Sequence, residues 1–189
     1  IHAGLYYRKD SLKARFCAEG KHMLYNYCES HKVAVKRCGK LVVATTEDEL
    51  QTMGAILKKA HDNGVMDTVL ISREEALARE PSLSCTGAMW SPSTGVVDSH
   101  GLMASLLGEA EDRGAMLALN APVTSIKLGD PHVVEVGGDA PMTLGAKEVI
   151  NSAGLGANVL AKLTEGVDDA YKPDLFYAKG CYFSHAGRS

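Results

Sequence analysis

The sequence predicts a mixed α/β, or α+β, fold, and three observations carry that prediction. Segments with the apolar period of helices alternate with short valine-rich runs over the first two thirds of the chain. Three strand-like runs then follow one another, at residues 116–119, 123–128 and 133–136. Finally an apolar run at residues 147–150 leads through a glycine elbow into a helical pattern at residues 158–163. Unbroken βα alternation would indicate a purely parallel sheet, whereas βα units combined with strand runs indicate a mixed one.

Taken in order, residues 1–7 form an apolar and aromatic run containing Gly4, and Asp10 or Ser11 can cap a helix over residues 12–30. Leu12, Phe16, Met23 and Tyr27 share one face of that helix and are its expected buried side, with Lys13, Arg15 and Lys21 in solvent. Residues 40–44 read as a strand. Thr46 with Glu49, a capping box, opens a helix carrying Leu50, Met53, Ile56, Leu57 and Ala60, and Asn63-Gly64 stops it. A strand at residues 68–71 precedes a second capping box, Ser72 with Glu75, whose short helix must end near Glu80 because Pro81 follows. Residues 87–90 are a strand, residues 91–95 a turn-rich loop, and Val96-Val97 a brief strand. Asp98 or Ser99 caps the next helix, with Leu102, Met103, Leu106, Leu107 and Ala110 on its expected buried side and Gly114 as its stop. Met103, Met116 and Trp90 are expected in the core. The strand runs after it form a meander, with Gly137-Gly138-Asp139 as a turn before residues 142–144. Residues 168–174 are loop and residues 176–183 a last aromatic strand.

Composition narrows the function classes. Lysine and arginine total 20 against 23 acidic residues, a net charge of −3, with no basic run, so nucleic acid is not an expected partner. No apolar stretch approaches the roughly 20 residues that span a bilayer, and no transmembrane segment is expected. The five cysteines are odd in number, dispersed and without a C-x-x-C pair, which points away from a disulfide framework or a zinc knuckle and towards a reducing, intracellular setting. No metal centre is expected. Ile1 and the closing Gly187-Arg188-Ser189 read as cut ends, so a fragment of a longer protein is expected.

The elbow Asn151-Ser152-Ala153-Gly154-Leu155-Gly156-Ala157 joins strand to helix, where free N–H groups and a positive dipole end suit an anionic group. The dinucleotide fingerprint is incomplete, since Val159 stands where its third glycine would be, and taken alone the elbow reads as a tight turn.

Several separated stretches together resemble the FAD-dependent oxidoreductases of the D-amino-acid-oxidase superfamily, most closely the L-2-hydroxyglutarate dehydrogenase or oxidase branch. They are Ile1-His2-Ala3-Gly4-Leu5-Tyr6-Tyr7 with Ser11-Leu12-Lys13-Ala14-Arg15; Ser91-Pro92-Ser93-Thr94-Gly95-Val96-Val97-Asp98-Ser99-His100; the elbow at residues 151–157; and Lys179-Gly180-Cys181-Tyr182-Phe183. The resemblance implies a substrate-binding domain with a mixed or antiparallel sheet and flanking helices, at residues 33–119 and 166–189. It assigns residues 1–32 and 120–165 to a Rossmann-like FAD domain whose first βαβ unit, with the G-x-G-x-x-G, is not in this chain. The elbow then becomes a secondary cofactor contact.

The reaction implied is oxidation of a small 2-hydroxy dicarboxylic acid, L-2-hydroxyglutarate, to 2-oxoglutarate, with a hydride leaving the α-carbon for FAD while a base takes the hydroxyl proton. The electron acceptor implied is a quinone or oxygen. Histidine starts nearest the pKa such a base needs, so His2 is the candidate base and Tyr6 its hydroxyl partner. Tyr7, Lys179 and Tyr182 are the candidate substrate contacts, since a dicarboxylate needs cationic or hydroxyl donors. Ala3, Gly4, Val123, Ala153, Gly154 and Gly156 are the candidate cofactor contacts, small residues or backbone where a ring can approach. Asp98, Ser99 and His100 are better explained as a helix cap and its first turn. Location follows the resemblance: mitochondrion in a eukaryote, cytoplasm or the cytoplasmic membrane face in a bacterium, with peripheral membrane association open. Two alternatives stay open, an amino-acid or glycerol-phosphate oxidase of the same superfamily and a non-catalytic module that binds a small acid or a partner.

Overall fold

The computed structural model describes residues 1–183 and divides into two compact units, residues 1–116 and 117–189. In the first, α1 (Leu12–Ser30) is followed by β1 (Val35–Lys36), β2 (Lys40–Ala44), α2 (Glu47–Asp62), β3 (Val69–Ile71), α3 (Arg73–Arg79), β4 (Gly87–Ser91), β5 (Val96–Val97) and α4 (Ser99–Asp112). The antiparallel sheet has the order β2-β4-β3, and Met89 at its centre faces Val42 on one side and Leu70 on the other. The core gathers Ala3, Leu5, Ala44, Met53, Ala60, Val65 and Met89, so the N-terminal segment, the sheet and α2 share one apolar interior.

The caps form for the reasons read from sequence. Ser11, Thr46, Ser72 and Asp98 each accept a hydrogen bond from a first-turn backbone N–H. Only Ser72 with Glu75 closes the full capping box; Glu49 turns instead to Thr45, taking its N–H at 2.7 Å and its hydroxyl at 2.8 Å.

The expected buried face of α1 is replaced by another, and that of α4 stays largely in solvent, with only Leu102 and Ala110 of it half-buried. On α1, Leu12 is 64% and Met23 70% exposed, Phe16 is also in solvent, and the buried residues are Ala14, Lys21, Tyr25 and Cys28. Small side chains let that face sit close to the core, where Ala18 packs, and its polar members find partners: Lys21 Nζ donates to Ser93 Oγ at 2.9 Å and the Tyr25 hydroxyl donates to Ser93 O at 3.1 Å. On α4, Met103, Leu106 and Leu107 are exposed, because the helix meets α1 through its polar side, where Tyr27 Oη lies 2.9 Å from Ser105 Oγ and 3.4 Å from Glu109 Oε2. Trp90 is half-buried beneath the Arg79 guanidinium.

In the second unit, β6 (Val123–Lys127), β7 (His132–Val136) and β8 (Met142–Ala146) form the expected meander, and α5 (Ala157–Lys162) returns the chain to β9 (Thr164–Glu165), which pairs parallel to β6. The sheet is therefore mixed, with Ile126, Val134 and Val136 as its core. Three expected strands do not form. Residues 116–119 carry no ladder, and Met116, expected in the core, is exposed. At residues 147–150, Val149 packs on the core without backbone pairing while Ile150 is 84% exposed. Residues 176–183 are irregular. An apolar run becomes a strand only where a neighbouring edge accepts its hydrogen bonds, and among the described residues none of these three runs is laddered to a sheet.

Candidate active site

The N-terminal segment is pinned from within. Ala3, Gly4 and Leu5 are buried, and Gly4 holds φ +100° with its Cα so close to α1 that a Cβ would stand 3.4 Å from Cys17 Cβ. Their burial turns His2 and Tyr6 outward, and the neighbouring Tyr7 is half-buried. Asn63 Nδ2 at the end of α2 donates to Tyr7 O at 2.9 Å, and His2 Nδ1 lies 3.2 Å from the Tyr7 hydroxyl. Burial first, and the adjacent Cys17 second, push the Tyr7 phenol above its ordinary pKa of 10.0, so Tyr7 is a neutral hydroxyl at physiological pH.

The second wall comes from the loop after β4. Gly95 N–H donates to Ile1 O at 3.3 Å and Gly39 N–H to Thr94 O at 2.9 Å, which ties the loop to the N-terminal segment and to the start of β2. Residues 1–7, Lys40, Thr94 and Gly95 line a cleft of about 190 Å³. His2, Tyr6 and Tyr7 are thus brought together as the sequence reading grouped them, with Ala3 and Gly4 in the same wall.

Sequence reasoning missed three contributors. Lys40 opens β2, and its ammonium lies 4.8 Å from the Tyr6 ring centroid. Thr94 was read as turn and as part of a resembling stretch, with no role of its own at the site. Lys21, taken as solvated, is 5% exposed and anchors the loop through Ser93. A lysine among the small residues of α1, four before Tyr25, was the available signal. Asp98 caps α4, accepting from His100 N–H at 3.1 Å and Gly101 N–H at 3.0 Å.

The remaining candidates lie in the second unit. Val123 begins β6, packed on the core and facing Val136. Ala153, Gly154 and Gly156 are exposed; Gly154–Gly156 is a single 3₁₀ turn ahead of α5 with Ala153 just before it, held by Asn151, whose Nδ2 donates to Ala157 O at 2.8 Å. Gly154 has φ +57° and nothing within 4 Å of where a Cβ would stand. An open glycine elbow bordered by exposed Ile150, Leu155 and Val159 fits the approach of a flat, largely apolar cofactor ring. Lys179 and Tyr182 are exposed on an irregular segment, Tyr182 at 96%.

The family model described as FAD dependent oxidoreductase matches residues 1–187. The mitochondrial L-2-hydroxyglutarate dehydrogenase of Arabidopsis thaliana is 33% identical over 216 residues, covering 99% of this chain and 45% of that protein. The L-2-hydroxyglutarate dehydrogenase of Escherichia coli (strain UMN026) is 32% identical over 166 residues, 86% of this chain and 38% of its own length. This chain therefore spans less than half of these relatives. Among solved structures, the L-α-glycerophosphate oxidase of Mycoplasma pneumoniae, determined with FAD bound, superposes with a TM-score of 0.73 at 23% identity over 87% of this chain and 44% of that one. That likeness is one of fold.

Proposed function

The chain belongs to the FAD-dependent oxidoreductase family, and on that premise we propose that the full-length protein oxidises L-2-hydroxyglutarate to 2-oxoglutarate. The observation that carries the reading is the His2–Tyr7 pair, 3.2 Å apart in a cleft with no carboxylate among its lining residues. Substrate names come from relatives such as those of Arabidopsis and Escherichia coli.

FAD, when bound, supplies the two-electron acceptor, and Ala3, Gly4, Val123, Ala153, Gly154 and Gly156 are the proposed contacts for it. The proton steps fall to this chain. With its own proton on Nδ1, His2 donates to the Tyr7 oxygen, and Nε2 is left bare to take the proton of the substrate hydroxyl. Tyr7, neutral, keeps its O–H for the substrate, and Tyr6 adds a second hydroxyl for orientation. Lys179 and Tyr182 are the proposed further donors to a substrate carboxylate. In this reading residues 1–32 and 120–165 serve the FAD-binding domain and residues 33–119 and 166–189 the substrate-binding domain. A quinone or oxygen takes the electrons onward. The proposed location is the mitochondrion for a eukaryotic source, as in the name of the Arabidopsis relative, and the cytoplasm or cytoplasmic membrane face for a bacterial one.

The test is anaerobic mixing of the purified full-length flavoprotein with candidate acids. Bleaching of the visible flavin band by L-2-hydroxyglutarate, well ahead of amino acids and glycerol 3-phosphate, is expected. Faster bleaching by an amino acid or by glycerol phosphate overturns the substrate assignment.

A further inference from the structure

We propose that the cleft is an anion site and that Lys40 is the side chain that holds a substrate carboxylate there. The inference rests on the reading of the substrate as a 2-hydroxy dicarboxylate, and it adds a binding residue that neither sequence pattern nor resemblance supplied. Lys40 is the one lysine or arginine among the residues lining the cleft, which include no aspartate or glutamate. It makes no ion pair among the described residues, whereas Lys21, Lys58 and Lys162 each have an acidic partner. Its position is set by main chain on both sides. β2 pairs Lys40 with Ser91 on β4, and the neighbouring Gly39 is bonded to Thr94. The ammonium rests 4.8 Å from the Tyr6 ring centroid, within the range of a cation–π contact that holds a flexible lysine without neutralising it.

A half-buried lysine with no ion pair among the described residues, lining one cleft with Tyr6, Tyr7 and Thr94, supplies the cation of a carboxylate site, with hydroxyl-bearing side chains in the same lining as further donors. Partial burial also strengthens the attraction relative to an exposed lysine such as Lys179, whose charge is screened by water and salt. The nearby Lys13 does not line the cleft; it lies over the Tyr7 ring at 5.9 Å.

The experiment titrates glutarate, a dicarboxylate with no hydroxyl to oxidise, into the full-length flavoprotein by calorimetry, beside pentanoate as the monoanion. Lys40→Met keeps the apolar stem and removes the charge; it should weaken glutarate binding by about 10- to 100-fold, the loss expected for one charged hydrogen bond, and narrow the preference over pentanoate. Lys40→Arg should recover most of the affinity. KM for L-2-hydroxyglutarate should rise in parallel while kcat changes little. A Lys40→Met protein with the wild-type melting temperature and wild-type glutarate affinity overturns the proposal, and so does a wild-type protein that binds no dicarboxylate. Wild-type protein that binds glutarate through Lys40 yet does not oxidise L-2-hydroxyglutarate overturns the substrate reading alone.

Discussion

His2 stands outward from a segment whose next three residues are buried, so its ring is presented to the cleft by the packing of its neighbours. A general base contributes about 10²- to 10⁴-fold, and His2→Ala in the full-length protein should slow flavin reduction by that order while leaving substrate binding largely intact. A loss of only a few-fold, measured by stopped flow, would remove His2 as the base. Tyr7 and Tyr25 carry a second prediction. Burial is the largest cause of the raised pKa in both; around Tyr25 the Arg37 guanidinium opposes it. Both phenols hold their protons more tightly when folded. Their contribution to stability is therefore complete below the unfolded value near 10 and is lost as pH rises through the higher folded values. Melting temperatures of wild type and the Tyr7→Phe, Tyr25→Phe double variant, followed above pH about 9, should show a shallower alkaline decline in the variant.

At the scale of elements, capping was legible because it is local chemistry. Ser72 receives a backbone N–H from Glu75 and returns its own to the Glu75 carboxylate, all within four residues. Ser72→Ala should cost about 1 kcal/mol in chemical denaturation, and a change indistinguishable from zero would refute the cap's role. Helix faces were not legible in the same way. α1 carries two candidate stripes, one of large apolar residues and one of alanine, cysteine, tyrosine and lysine, and the second is the buried one. Periodicity ranks stripes by hydrophobicity, but close approach favours small residues, and Ser93 provides hydrogen-bond partners that no window on α1 contains. The same limit hid Lys40, whose neighbours in the cleft come from residues 1–7 and 94–95, far from it in sequence.

At the scale of the whole molecule, the change from one compact unit to the next falls after Met116, in a stretch read as a strand. Met116 and Leu119 there are exposed and the backbone has no ladder. Limited proteolysis of the folded chain should therefore nick first within residues 115–120, detected by mass spectrometry of the two products; initial cutting inside β4 or β7 would contradict the division.

The sequence by itself determined the helices and their caps, the meander, the mixed α/β class and the grouping of His2, Tyr6 and Tyr7, because each depends on residues a few places apart. Tertiary structure alone decided which helix faces are buried, which apolar runs find a strand partner, and that Lys21 and Lys40 meet the loop after β4. Those outcomes depend on which surfaces and hydrogen-bonding edges remain once the neighbouring elements have packed, a competition between distant segments that local pattern does not encode.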